Sequence, residues 1–489
     1  MSKSHAPTGV FNHLVTGIFL GILAACQTSP SGPKREDAHE RHAREMAALT
    51  SLAPAIQATT DSMLALARQG GTPLQATEVA SALRQIPGVA DATASPGGTA
   101  VAVRADNGTQ VVQLLYRRND MALYEPAASA RPQNSGNEAG GSAFMRASLT
   151  TPPSTGKSAL ILAPYQSSTN EPLDEIEGVL IRMGFATVRL ENSAAGLDAF
   201  RAENIAKYDL VYISSHAVAG IPLDPVPDMG ARRGTAILTS VPATTPLPNS
   251  DRDGVVLALP GGSSHEATAV WAVTPYFLLG QDAKLGGKQT ILVVNAPESG
   301  LETNGMSWAT LVSLTQGGGF AGWRGAVSPD RSDDGMKLLL ASLAEGQSFG
   351  TASTRVDSDL TTPNLTPRIV TPSSILGVFV GRTYSTGIVS LLPAGAPHGR
   401  FSASSATAGD PVTVRVSTTD MAGPVTGVEV SFDGQAPQAM RSTGEGEWIS
   451  PKLVVPGEGR LPRVLLATYR VLGVGGATVA NGTAALVAN

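Results

Sequence analysis

A single cysteine, Cys26, occurs in the 489 residues. No disulfide can form within the chain, so its domains must be held by packed side chains. Charge is sparse as well: 15% of residues are charged, they sum to −5, and no run of Lys or Arg occurs. Such a chain lacks the cationic face that neutralises phosphates, and no nucleic-acid partner is expected. Long apolar runs are missing too. The stretch Leu14 to Ala25 is about a dozen residues, short of the roughly 20 that a spanning helix needs, and no other stretch approaches that length.

That short apolar run follows Lys3 and precedes a polar, Pro/Ser/Gly-rich stretch, the pattern of a secretory signal over 1–25. Its end, Leu23-Ala24-Ala25-Cys26, resembles the bacterial lipobox. The resemblance implies cleavage before Cys26, lipidation of Cys26 and a membrane partner engaged through acyl chains, with two or more chains giving stable residence. Gln27 after the cysteine implies sorting to the outer membrane. The expected location is the bacterial cell envelope. The alternative is a buried apolar helix that happens to hold a cysteine.

The sequence is read as multidomain α/β. A tether over 26–34 leads into a small α+β module over 35–125. The module starts with a helix from Glu36 to about Gly70, in which Met46, Leu49, Leu52 and Ile56 recur at helical spacing and Pro54 marks a division. A second helix over 74–85 precedes strands at 100–105 and 110–116, joined across Asp106-Asn107-Gly108, a hairpin signal. Ala, Ser, Pro, Gly and Asn dominate a linker over 126–157. Apolar strands at 159–163, 186–190 and 209–214 then alternate with helical stretches at 172–183 and 197–206. This order indicates a mostly parallel sheet covered on both faces, over a unit from 158 to 355. The Pro- and Gly-rich stretch 221–262 reads as an elaborated loop. The sheet resumes at 289–295 and 319–323, with helices over 307–315 and 336–345. After a connecting segment, 356–399, only short alternating strands follow over 400–489, which suggests an immunoglobulin-like β-sandwich.

Parallel sheets place their chemistry at strand C-terminal ends. One strand closes with Ser214-Ser215-His216 and another with Asn295-Ala296-Pro297-Glu298-Ser299-Gly300. Together with Trp308-Ala309-Thr310-Leu311, Phe320-Ala321-Gly322-Trp323 and Leu343-Ala344-Glu345-Gly346, these segments resemble the caspase-like fold of clan CD peptidases, in its gingipain-like and CHAT-type branches. The resemblance covers about 200 residues. It implies an α/β/α sandwich, a histidine at 216 and a nucleophilic cysteine at 297. Here that position is Pro297, which has neither a nucleophile nor a backbone N–H, and Ala217 stands where the family has glycine. The resemblance thus implies a pseudopeptidase with a vestigial His216 that binds a peptide or protein partner at the strand ends, with Ser215, Glu298 and Ser299 in the binding site. Other readings of His216 are an exposed loop histidine or a base for another nucleophile.

Three functions follow: a lipid-anchored pseudopeptidase; a hydrolase using His216 with a serine (Ser214, Ser215 or Ser299) or activated water; and a structural envelope protein whose β-sandwich makes the contacts. In the first, Asp224, Asp228, Arg232 and Arg233 of the 221–262 stretch shape partner choice. The serines are alternatively caps of the strand ends. No cofactor or metal is expected. Gly156-Lys157-Ser158 lacks the first glycine of a phosphate loop and precedes a strand. His39 and His42 read as a solvated helix surface, Asp251-Arg252-Asp253-Gly254 as a turn, and His265 has no identifiable partner.

Overall fold

A computed structural model describes residues 37–70, 74–115, 156–166, 171–226, 230–252, 254–260, 269–301, 306–315, 317–323, 327, 329–359, 376–380, 396–457 and 463–489. The expected signal, Cys26 and the tether lie outside these residues, as do the bulk of the 126–157 linker and His265. Among the described residues no helix is long and apolar enough to cross a membrane.

The first element is one helix, α1 (Ala38–Gly70), followed by α2 (Ala76–Leu83). Pro54 does not divide α1. It sits on the exposed side, where the carbonyl of exposed Thr50, deprived of its N–H partner, meets water. Leu49, Leu52 and Ile56 on the opposite side are buried. The strands β1 (Val89–Ala94), β2 (Ala100–Ala105) and β3 (Gln110–Leu114) form an antiparallel meander. The hairpin between β2 and β3 is present, with Gly108 at φ +82° and its N–H donating to the Ala105 carbonyl.

A βαβαβ run follows: β4 (Lys157–Ala163), α3 (Leu173–Arg182), β5 (Phe185–Glu191), α4 (Ala202–Ile205) and β6 (Leu210–Ser214). The described residues of the 221–262 stretch, expected as an elaborated loop, are largely regular structure. They supply parts of β7 (Ala217–Val226) and β8 (Gly230–Pro242), then α5 (Asn249–Arg252) and β9 (Val255–Leu259), with β10 (Val270–Val273) and α6 (Pro275–Leu279) beyond. Pro222 and Pro225 fall in β7, at the end of the sheet order, where a missing N–H is tolerated. The remaining elements of the unit are β11 (Ile291–Asn295), α7 (Trp308–Leu314), β12 (Gly319–Trp323), α8 (Pro329–Ala344), α9 (Phe349–Asp359) and β13 (Leu376–Val380).

Two sheets result. The first has the order β13-β12-β11-β6-β4-β5 and is parallel except for β13, so the expected mostly parallel sheet is present. Its side chains alternate: Leu160, Leu162, Val211 and Ile213 face one core, while Ile161, Tyr212 and Val293 face another that includes α3, α8 and α9. The second sheet, β1-β2-β3-β9-β10-β8-β7, joins the N-terminal strands to the 217–273 region through a parallel β3–β9 pairing. The N-terminal module therefore has no sheet of its own. This sheet curls until β7 packs against β2 and β3, over an inner face that includes Ala102, Val112, Val218, Leu238 and Ala258.

The C-terminal part is a β-sandwich of two larger sheets with a separate two-stranded sheet that pairs Pro411–Val412 with Leu453–Val454. Its strands are β14 (His398–Phe401), β15 (Ser405–Ala406), β16 (Pro411–Val412), β17 (Val414–Ser417), β18 (Gly427–Phe432), β19 (Gln438–Ala439), β20 (Arg441–Gly444), β21 (Glu447–Ile449), β22 (Leu453–Val454), β23 (Arg463–Leu472) and β24 (Thr478–Ala488). Sheets β14-β17-β21-β20 and β15-β24-β23-β18-β19 enclose Val414, Val430, Phe432 and Leu486. β23 and β24 pack on α8, with Val464, Ala485 and Val487 entering the core beneath it. Arg355 crosses this junction, donating to the Ala485 carbonyl (2.7 Å), to Ser342 Oγ and to the buried Glu345 carboxylate, which also accepts the Ala485 N–H.

Candidate functional site

β6 and β11 are parallel neighbours in a register that pairs Ser214 with Asn295. His216 and Pro297, each two residues further on, leave the sheet at matching positions, and the Ser215 N–H still reaches the Asn295 carbonyl at 3.3 Å. His216 is half-buried, its ring edge-on to Tyr165 with centroids 5.5 Å apart. Tyr165 Oη donates to the Thr239 carbonyl at 2.8 Å, and the His216 carbonyl accepts the Leu238 N–H. Pro297 is half-buried in the turn that ends β11.

Two of the serines around this point, Ser215 and Ser299, are committed to backbone. Ser215 Oγ donates to the Leu238 carbonyl at 2.7 Å. Ser299 Oγ lies against the Ala296 and Val294 carbonyls (2.7 and 3.1 Å) and accepts the Trp323 N–H (3.2 Å). A serine nucleophile must present its proton to a base. These hydroxyls instead bind carbonyl oxygens, and both residues are buried together with Ser214. Gly300 lies so close to β12 that a Cβ there would overlap the Gly322 carbonyl oxygen.

Glu298 is fully buried and has φ +59°, a left-handed conformation uncommon outside glycine. Its Oε1 accepts from Ser95 Oγ (3.0 Å), the Thr99 N–H (3.0 Å) and Thr99 Oγ1, while Oε2 accepts the Ala219 N–H (2.9 Å). Burial pushes its carboxyl above the usual range, and the Thr99, Ala219 and Ser95 donors pull against that shift. Glu298, expected in the binding site, thus has its carboxylate turned to protein backbone and hydroxyls.

A second polar group lies behind the strand ends. Asn295 donates to Glu171 and, at 3.2 Å, to Asp333, while its Oδ1 accepts the Trp323 indole N–H at 2.9 Å; Tyr212 Oη also reaches Glu171. Sequence reasoning missed this group and the Ser95–Thr99 contact. An Asn closing an otherwise apolar strand was the one visible signal. Of the proposed selectivity residues, Arg233 donates to the Gly220 carbonyl (2.9 Å); the side chains of Asp224, Asp228 and Arg232 lie outside the described parts.

The Asp251-Arg252 stretch, expected as a turn, forms α5 and is buried. Asp251 pairs with Arg201 through both oxygens, and Arg252 pairs with Glu45 of α1 while stacking on Trp271, 4.4 Å from the ring centre. His39 and His42 lie on α1, and among the described residues no three His, Cys, Asp or Glu side chains converge to hold a metal. The Lys157-Ser158 pair opens β4, so the glycine-lysine motif precedes a strand.

No family model and no curated protein matches the chain. Among solved structures, an auxiliary nutrient binding protein from Bacteroides ovatus is 16% identical with a TM-score of 0.13, over 18% of this chain and 19% of that one. A Niemann-Pick type C2 protein from the Japanese carpenter ant is 10% identical with a TM-score of 0.13, over 20% and 96%. A Pseudomonas fluorescens alkylpurine DNA glycosylase bound to DNA containing an abasic site analog is 12% identical with a TM-score of 0.14, over 33% and 47%. The chain spans about a fifth of the first of these proteins, and scores this low carry no argument about its fold.

Proposed function

We propose that this protein is a lipid-anchored component of the bacterial cell envelope whose 158–355 unit is a caspase-like pseudopeptidase. It is attached through Cys26 at the outer membrane and followed by an immunoglobulin-like sandwich. The observation that carries the reading is the matched exit of His216 and Pro297 from adjacent parallel strands. That is the place where a histidine and a nucleophile would meet, and proline occupies the nucleophile's side. The committed hydroxyls of Ser215 and Ser299 support the same reading, because neither of them offers its proton to His216. Without a nucleophile, the strand-end site serves to bind a peptide or protein partner.

The test uses a broad fluorogenic peptide library and the full chain, beside His216→Ala and Pro297→Cys. No hydrolysis by the unaltered protein is expected, together with saturable binding of some library members that Pro297→Arg reduces. Hydrolysis that disappears in His216→Ala would replace this reading with a hydrolase.

A further inference from the structure

The N-terminal segment 37–115 meets the rest of the chain at three separated points. Along one edge β3 pairs in parallel with β9, Val111 opposite Leu257 and Gln113 opposite Leu259. At the turn between β1 and β2, Ser95 Oγ and the Thr99 N–H (both 3.0 Å) and Thr99 Oγ1 donate to the buried Glu298 carboxylate. The turn presses so close that a Cβ on Gly97 would overlap that carboxylate. On α1, Glu45 closes an ion pair with Arg252, whose side chain is 1% exposed. The apolar side chains are shared as well, since Leu49, Ile56 and Val101 of the segment belong to one buried core with Leu257, Leu259 and Trp271. Both sides build that core, as in an obligate complex, whose interface resembles a domain core cut in half. Parting them would take from the Glu298 carboxylate and the Arg252 guanidinium the partners that the segment supplies, and would leave β3 and β9 with unanswered backbone groups. None of these contacts involves 116–155, through which the two parts are covalently joined.

We propose that 37–115 is a docking subunit that the 158–489 part holds by these contacts alone, so that a chain severed between the two remains one protein. With Cys26 as the anchor, the severed protein also keeps its 158–489 part at the membrane. That second consequence rests on the reading of Cys26; the first does not.

The test uses the full chain with the recognition sequence of a site-specific protease inserted after Ser135. The protein is folded first and then cut to completion. The two pieces are expected to co-elute in gel filtration at the size of the uncut protein, and to stay together in about 1 M salt, where the screening length is about 3 Å and exposed charges no longer hold them. Pieces that part once the chain is cut, with no denaturant present, would overturn the proposal. Thr99→Val removes one donor to Glu298, and Gly97→Ala wedges the turn without changing a polar group. In urea below the unfolding midpoint, each should release its N-terminal piece about 10-fold faster than the unaltered cut protein, the effect of losing a hydrogen bond to a charged group. Equal release rates in folded Thr99→Val and Gly97→Ala would also overturn it. Co-elution is read without a membrane, so a cut protein that stays together but does not sediment with the membranes of the cells that make it refutes only the anchor.

Discussion

Removing Glu45 should cost far more than removing Glu45 and Arg252 together. The Arg252 side chain is 1% exposed and that of Glu45 8%. The guanidinium has Glu45 as its ionic partner and lies on Trp271, while its Nε and Nη1 have no hydrogen-bond partner among the described residues. Burial pulls its pKa down and Glu45 restores part of the loss, against the nearby positive charges of Arg41 and Arg44. Glu45→Leu leaves this charge buried and uncompensated, a defect worth about 3–5 kcal/mol. Arg252→Met leaves Glu45 with Arg41, whose Nε stays 3.2 Å away, so its cost is smaller. The double variant exchanges an incompletely satisfied pair for apolar packing and should lie between neutral and about 4 kcal/mol more stable. Hydrogen exchange in α1 and β9, with urea unfolding followed by tryptophan fluorescence, measures all four proteins. A double variant as unstable as Glu45→Leu would refute the reasoning, since it would show that the fold needs the ion pair itself.

Other outcomes follow from the strand-end turn and the sandwich junction. Ser299→Ala strands the buried Trp323 N–H and should cost about 1–3 kcal/mol in urea unfolding. Gly300→Ala drives a Cβ into the Gly322 carbonyl and should unfold or misassemble the parallel sheet, seen as loss of soluble protein. Arg355→Met leaves the Glu345 carboxylate buried at the sandwich junction, and limited proteolysis should release the sandwich sooner than from the unaltered protein. Burial raises the pKa of Glu298 and of Glu345, opposed by Arg355 in the second case. A raised folded value favours the protonated form, so the stability it contributes is full below the ordinary value of 4.5 and is lost as pH rises through the folded value. Glu298→Gln should therefore flatten the fall in urea midpoint from pH 4.5 to 8, and an unchanged slope would count against a raised Glu298.

The parallel sheet was legible because its strands are short apolar runs separated by helical periodicity. Leu210 to Ser214 and Ile291 to Asn295 are buried throughout and could be read directly. The second sheet was not, since its strands come from two distant parts of the chain and Pro222, Pro225 and Gly230 mimic a loop. Nothing local in Gln110 to Leu114 announces a parallel partner at Val255 to Leu259. Of the site, His216 and Pro297 stood out by their positions at strand ends. The commitment of Ser215 and Ser299 to backbone did not, because that depends on which carbonyls their hydroxyls meet. Glu298 was expected to face a ligand, and only three-dimensional proximity to Ser95 and Thr99 shows what satisfies it. Arg252 read as a turn residue because sequence carries no sign that Glu45 lies opposite.

The parallel pairing of Val111 and Val112 with Leu257 and Ala258 also bears on how the protein is made. At 5–20 residues per second, β3 leaves the ribosome on the order of 10–30 s before its partner strand. For that interval the Gln110–Leu114 edge is a row of unanswered donors and acceptors, open to pairing with another chain. A product ending before Leu259 would keep that edge permanently, so the first 115 residues expressed by themselves should aggregate rather than behave as an independent domain.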